Sequence, residues 1–452
     1  MQRRTFLSLL AIPAVASLLQ ACGDDSTGTR PADETTGSTP DTRPDRSPDG
    51  GLQPASLMGK APRVAATSAD AFEASAAINA FSADLFAQLI AADPTANLVF
   101  SPASIALALT MTSAGAKGDT LAEMSKVLHL TDPGMIHRSM NGLTVGLAEL
   151  DQSQDNTTQG GTGTSEVQLS IANSLWGQTG FDFEQAFLDL LSSEYGAGME
   201  LVDYVTDPEA ARVAINAWVA EQTKQRIPEL LGPDTITKDA RLTLVNAIYL
   251  KANWATVFPD GNTAEAPFTT PTGEVRVQMM QVSNDFGYAE GAGWQAVELP
   301  YVFGNLTFVA FVGTDDDSLL TTGDEVFAAL DRRPVTLSMP RFDIQTSTSL
   351  ADVLAAMGMP TAFSAKADFS GMTKQVALAI GDVVHQANIT VDEQGTEAAA
   401  ATAVIVMPTS EQVVEEPIEM LVDRPFTFWL RDRATGTIIF TGRVNDPSAT
   451  RG

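Results

Sequence analysis

Apolar residues from Ala76 onward recur at three- and four-residue intervals: Ile78, Phe81, Leu85, Phe86, Leu89 and Ile90. That spacing predicts a helix over 76–91. Ser101-Pro102 opens a second, over 103–113, because proline fits a first helical turn. Leu121, Met124 and Leu128 share one face of a third, over 120–128, and 183–195 and 208–223 read as two more. Strand candidates are 167–176, LTLVNAIYL at 242–250, and then 306–312, 335–339 and 376–380. A run as apolar as 242–250 suits a strand covered on both faces. Asn246, in its middle, is an amide that needs partners once buried. Residues 426–431 and 437–443 form a hairpin-like pair around Ala434-Thr435-Gly436, and the polar, glycine-rich 151–165 reads as a loop. Helices lead and strands follow, the order of an α+β domain.

The least ordinary stretch is ITVDEQGTEAAAATAVIVM, residues 389–407. It begins as an alternating strand, and Gly395 then breaks the pattern. From Thr396 almost nothing exceeds threonine in size until Val404. One reading is a short helix, with Thr396 as N-cap and alanine as the best helix former. Such a helix would bury little apolar surface, and burial is what holds short helices in proteins. The other reading is a strand. One face would then carry Thr396, Ala398, Ala400, Thr402 and Val404, with no charge or bulk, able to enter an existing sheet over a core. The other face would carry Glu397, Ala399, Ala401, Ala403 and Ile405, with Glu397 toward solvent.

Charge and composition remove several function classes. The 452 residues carry a net charge of −29, which argues against a nucleic-acid partner. A hydrophobic content of 44% is enough for a sizeable core. The single cysteine, Cys22, excludes an internal disulfide, and the three histidines, His129, His137 and His385, are scattered. HExxH and the G-x-S-x-G elbow are both absent, so neither a zinc peptidase nor a serine hydrolase is indicated. No metal or other cofactor is expected.

Arg3 and Arg4 precede an apolar run from Phe6 to Leu19, too short for an ordinary membrane span, which reads as an export signal. RRTFL resembles the twin-arginine pattern, and Leu19-Gln20-Ala21-Cys22 resembles a bacterial lipobox. The division expected is a signal over 1–21, a lipid-bearing Cys22 opening a disordered tether over 22–71, a domain over 72–448 and a tail over 449–452. The protein is expected to be exported and lipid-anchored to the cell envelope, or extracellular.

Eight segments in register resemble the serpins, the serine protease inhibitor superfamily: NLVFSPASIALAL at 97–109, GAKGDT at 115–120, INAWVAEQTKQRIPELL at 215–231, LVNAIYLKANW at 244–254, MPRF at 339–342, ADFSGM at 367–372, VVHQANITVDEQGTEAAAATAV at 383–404 and DRPFTFWLRDRATGTIIFTGRV at 423–444. The resemblance implies helices packed around three β-sheets, with a large central sheet and an exposed reactive-centre loop. Ser101, Ser104, Asn246 and His385 match the serpin shutter, the polar residues beneath the part of the sheet that opens. Trp254 matches the breach, where insertion starts, and Arg341 is expected to pair with Glu393 at the base of the loop. Gly395, Thr396, Glu397, Ala398, Ala399, Ala400 and Ala401 match the hinge, which inhibitory members keep small.

The implied mechanism is mechanical. A serine (or cysteine) protease attacks the loop and forms a covalent acyl-enzyme. The freed segment from Thr396 then inserts as a new strand, and the protease is distorted before it can deacylate. Family spacing puts the reactive bond at Thr409–Ser410, with Met407 as runner-up and cleavage after Val406 or Ser410 also open. Small and apolar neighbours suit elastase-like or subtilisin-like targets, and the absence of Arg and Lys from Gly395 to Leu421 disfavours trypsin-like ones. The expected partners are therefore the target protease and, through lipid on Cys22, a membrane; a monomer is expected. The alternative is a non-inhibitory serpin acting as a cell-surface binding protein, since fold does not fix function. Two departures from the family pattern stand out: Gln394, where glutamate is common, and the polar stretch at 151–165.

Overall fold

The computed structural model describes residues 54–155, 164–313, 323–396 and 416–449. Its central sheet runs β1 (Ala55–Leu57), β5 (Met199–Val202), β4 (Thr164–Gln178), β6 (Leu242–Asn253), β14 (Gly395–Thr396), β13 (Val383–Val391) and β12 (Phe342–Ser349), with β3 (Gln152–Asp155) on β4. A second sheet runs β15 (Ile418–Leu421), β11 (Asp331–Pro340), β8 (Gly273–Gly291), β9 (Trp294–Pro300), β10 (Leu306–Val312), β16 (Phe426–Asp432), β17 (Ile438–Val444) and β2 (Leu98–Phe100), with β7 (Ala264–Thr270) on β8. The helices are α1 (Phe72–Ala92), α2 (Pro102–Ser113), α3 (Gly118–Val127), α4 (Ile136–Ala148), α5 (Gln185–Leu190), α6 (Pro208–Gln222), α7 (Gly323–Ala329) and α8 (Ala351–Met357).

β6 is long because both of its faces are covered. Ile248, Leu250 and Ala252 point into the main core, shared with Ile78 and Phe81 of α1 and Leu109 of α2. Val245 and Ala247 point the other way, into a second cluster with Trp176, Tyr204, Ile215 and Val219 under α6. Each large side chain in these clusters contributes about 1.5–3 kcal/mol through burial. α2 is buried along its whole length, with no polar face to turn outward.

Three differences from the sequence reading have physical causes. First, the described residues make two hydrogen-bonded networks, not three. The 19-residue β8 pairs with β7, β11 and β9 in turn and joins what would otherwise be two smaller sheets. Second, 376–380 is not a strand: Leu378 and Ile380 are buried, but the segment is irregular, with Ile380 N–H donating to the Ala362 carbonyl. Third, residues 54–71 belong to the folded domain instead of the tether. β1 pairs antiparallel with β5 at the sheet edge. Beyond it Gly59 N–H donates to Ser192 Oγ at 2.7 Å, and the Arg63 guanidinium donates to Asn141 and Thr144. The ends of the expected 151–165 loop are likewise paired, Gln152–Asp155 against Thr164–Val167.

Candidate functional site

Ser101 caps α2: its Oγ accepts from Ser104 N–H at 3.2 Å and donates to the Ile439 carbonyl at 2.6 Å. The Ser101 N–H donates to His385 Nε2 at 3.1 Å. That fixes the imidazole tautomer, so Nδ1 carries the proton and donates to Asn246 Oδ1, 2.6 Å away. Asn246 Nδ2 donates to Ser104 Oγ at 2.5 Å and to Asn173 Oδ1 at 2.6 Å. The four residues expected from the sequence thus form one buried chain of hydrogen bonds. It lies where β6 and β13 pair in parallel, His385 opposite Asn246. Burial, with no counter-charge, lowers the His385 pKa to about 3 and keeps the ring neutral.

Higher up, the sheet is wedged open. β6 and β13 share rungs only along Leu244–Ala247 and Val383–Gln386. At the top, Thr396 pairs with Ala252 on one side and Val391 on the other. Between these levels, 248–251 and 387–390 have no rung in common, and in that stretch the Asn388 amide nitrogen is buried without a partner among the described residues. Gly395 has φ +154°, and a Cβ there would lie 2.0 Å from the Ala252 carbonyl oxygen, so only glycine lets the chain approach β6 this closely.

Trp254 anchors this point. Its ring stacks on Tyr301 with centroids 4.4 Å apart, its Nε1 donates to the Asp392 carbonyl, and its backbone N–H donates to that of Gln394. The Tyr301 and Thr396 hydroxyls bond at 2.5 Å. Arg341, between β11 and β12, donates to Glu393 Oε1 through Nε at 2.7 Å and also through Nη2, and Thr263 donates to the same oxygen. The Glu393 side chain is 4% exposed and that of Arg341 45%. Burial pushes the Glu393 pKa up, but the bonds from Arg341 and Thr263 outweigh it and hold the pKa below its ordinary value.

The structure therefore brings Trp254, Arg341, Glu393, Gly395 and Thr396 together. Glu397, Ala398, Ala399, Ala400, Ala401, Met407, Thr409, Ser410 and Cys22 lie outside the described residues. Sequence reasoning passed over Asn173, Tyr301 and Thr263. Asn173 carried the same signal as Asn246, an amide inside an apolar strand; Tyr301 and Thr263 follow from no local pattern. Among the described residues no group of three His, Cys, Asp or Glu side chains converges as a metal would require.

A family model described as serpin (serine protease inhibitor) matches residues 76–447. The chain belongs to the serpin family. It is 36% identical over 390 residues to the leukocyte elastase inhibitor of Bos taurus, covering 82% of this chain and 99% of that serpin. Serpin B6 of Macaca fascicularis is 36% identical over 372 residues, 78% of this chain and 94% of the relative. The native-state structure of tengpin, a thermophilic serpin, superposes with a TM-score of 0.74 at 27% identity, covering 87% of this chain and all of that one.

Proposed function

We propose that the protein is an inhibitory serpin, a suicide substrate that traps a serine endopeptidase of elastase-like or subtilisin-like preference. The observation that carries this reading is the wedge of Gly395 and Thr396 between β6 and β13, above four positions on each strand that share no rung. The hinge stands at the head of an open slot, and in the sequence Glu397 is followed by nothing larger than threonine until Val404. The leukocyte elastase inhibitor, by its name, acts on a protease of the proposed class. In this reading the protease cleaves Thr409–Ser410, and the freed segment zips into the slot. The shutter hydrogen bonds from Asn246 to Ser104 and Asn173 part and re-form around the new strand. Insertion adds roughly ten ladder hydrogen bonds at about 1 kcal/mol net each.

We also propose that Cys22 is lipidated and that the inhibitor acts at the cell envelope. Metabolic labelling with a palmitate analogue, lost in Cys22→Ala, checks that part.

Incubation with subtilisin, pancreatic elastase and trypsin, read on denaturing gels and by mass spectrometry, tests the inhibitor. The expected result is a gel-stable complex with one of the first two and a peptide beginning at Ser410. Cleavage of the loop by all three with no covalent complex would overturn the inhibitory reading.

A further inference from the structure

The reversal that carries the chain from β13 into β14 is complete before any bond is cut. Val391 and Thr396 pair with each other, and the four residues from Asp392 to Gly395 turn between them. The Asp392 N–H donates to the Gly395 carbonyl at 3.0 Å and closes the turn from the backbone. The Asp392 carboxylate closes it from the side chain: Oδ1 accepts from the Gln394 N–H at 2.8 Å and from the Gly395 N–H at 3.2 Å. Aspartate and asparagine form such turns because their side-chain oxygen reaches the backbone two residues on.

One neighbouring segment moors the turn. The carbonyls of Asp392, Glu393 and Gln394 accept from Trp254 Nε1, the Phe258 N–H and the Trp254 N–H, each at 2.9 Å. Asp392 itself is half-buried. That burial pushes its pKa up and outweighs the two N–H bonds, which lower it; Glu393 raises it further and Arg341 lowers it. The place therefore favours an acceptor oxygen more than it favours a charge.

Resting on the insertion reading above, we propose that Asp392 is a positioning residue for trapping: its side-chain oxygen holds the hinge bend ready, so insertion extends a strand already begun and does not have to start one. Without that oxygen the Gln394 and Gly395 N–H groups lose their acceptor. The bend must then be ordered while the acyl-enzyme is still open to hydrolysis, and the entropy of fixing those residues falls inside the race between insertion and release. Acylation precedes that race. The loop is therefore cut as fast as before, and only the fate of the acyl-enzyme changes.

The test uses the full chain and the protease that the wild type traps, subtilisin or pancreatic elastase. The readouts are the rate of loop cleavage and the ratio of inhibitor released cleaved to inhibitor trapped, with melting curves of each intact variant to check that it folds. Asp392→Ala leaves the cleavage rate unchanged and raises the ratio about two- to tenfold, the range of one lost hydrogen bond. Asp392→Asn keeps the oxygen without the charge and traps as the wild type does. Asp392→Glu keeps the charge but holds it one methylene too far from the turn, and it behaves like Asp392→Ala. Should Asp392→Ala fail to fold, the Asn and Glu variants decide the matter between them. Impaired trapping in Asp392→Asn, or wild-type trapping in Asp392→Glu, makes the residue a charge partner of Arg341 and overturns this assignment alone. A wild type that is cut with neither complex nor a rise in melting temperature overturns the insertion reading, and the assignment with it.

Discussion

Thr396 shows how much a single side chain decides. It is buried, its hydroxyl meets Tyr301, and it is the first hinge position with a side chain to enter the sheet. Thr396→Arg puts a charge where only a small hydroxyl fits. The loop should still be cut at the wild-type rate, but the gel-stable complex should vanish. Continued stoichiometric trapping would sink the hinge as the moving part. A second expectation concerns acid. Burial lowers the pKa of His385 to about 3 and that of His137 to about 4, against about 6.5 in the unfolded chain. Below pH 6.5 the unfolded chain therefore takes up protons that the folded one refuses. Stability is complete above that pH and declines as pH falls toward 4 and then 3. Each ring adds up to about 1.4 kcal/mol per pH unit to the slope. Urea midpoints between pH 6.5 and 5.5, where carboxylates titrate little, should fall, and about half the slope should go in His137→Gln. At this scale the sequence was informative where a polar residue interrupted an apolar strand, as at Asn246; Asn173 carried the same signal and was passed over. It was silent on Tyr301, whose role comes from stacking on Trp254 and bonding the Thr396 hydroxyl, contacts that only the tertiary fold creates.

Among the elements, the apolar runs announced themselves: 242–250, 306–312 and 426–431 lie inside β6, β10 and β16. α4 did not, because Gly142 and Gly146 weaken any helix. A Cβ on Gly142 would lie 2.7 Å from Asp70 Cβ and from the Thr67 carbonyl oxygen, so the glycines are there to let the incoming chain lie close. The same blindness misassigned 54–71. Its polar composition reads as tether, yet Asn141 of α4 receives Arg63 and donates to the Val64 carbonyl at 2.8 Å. Asn141→Leu leaves the Val64 carbonyl without its amide donor and Arg63 with Thr144 alone, and should cost about 1–3 kcal/mol in urea denaturation. A variant as stable as the wild type would mean that the segment merely rests on the domain. Residues 376–380 failed in the opposite sense: an apolar run was buried under other elements without any ladder.

For the molecule as a whole, the insertion reading makes the intact fold the less stable of two. Cleavage within 404–412 should raise the melting temperature by about 10 °C or more. An unchanged value would leave the slot as a passive gap. The second sheet carries a practical corollary. Strands β15, β16 and β17 all lie downstream of the proposed cut, and Phe426, Phe428 and Phe440 are sealed in the interior. The severed tail is therefore an integral rib of the body, not a fragment free to diffuse away. Gel filtration of the nicked protein should show no loss of mass, and only a denaturing solvent should separate the two pieces.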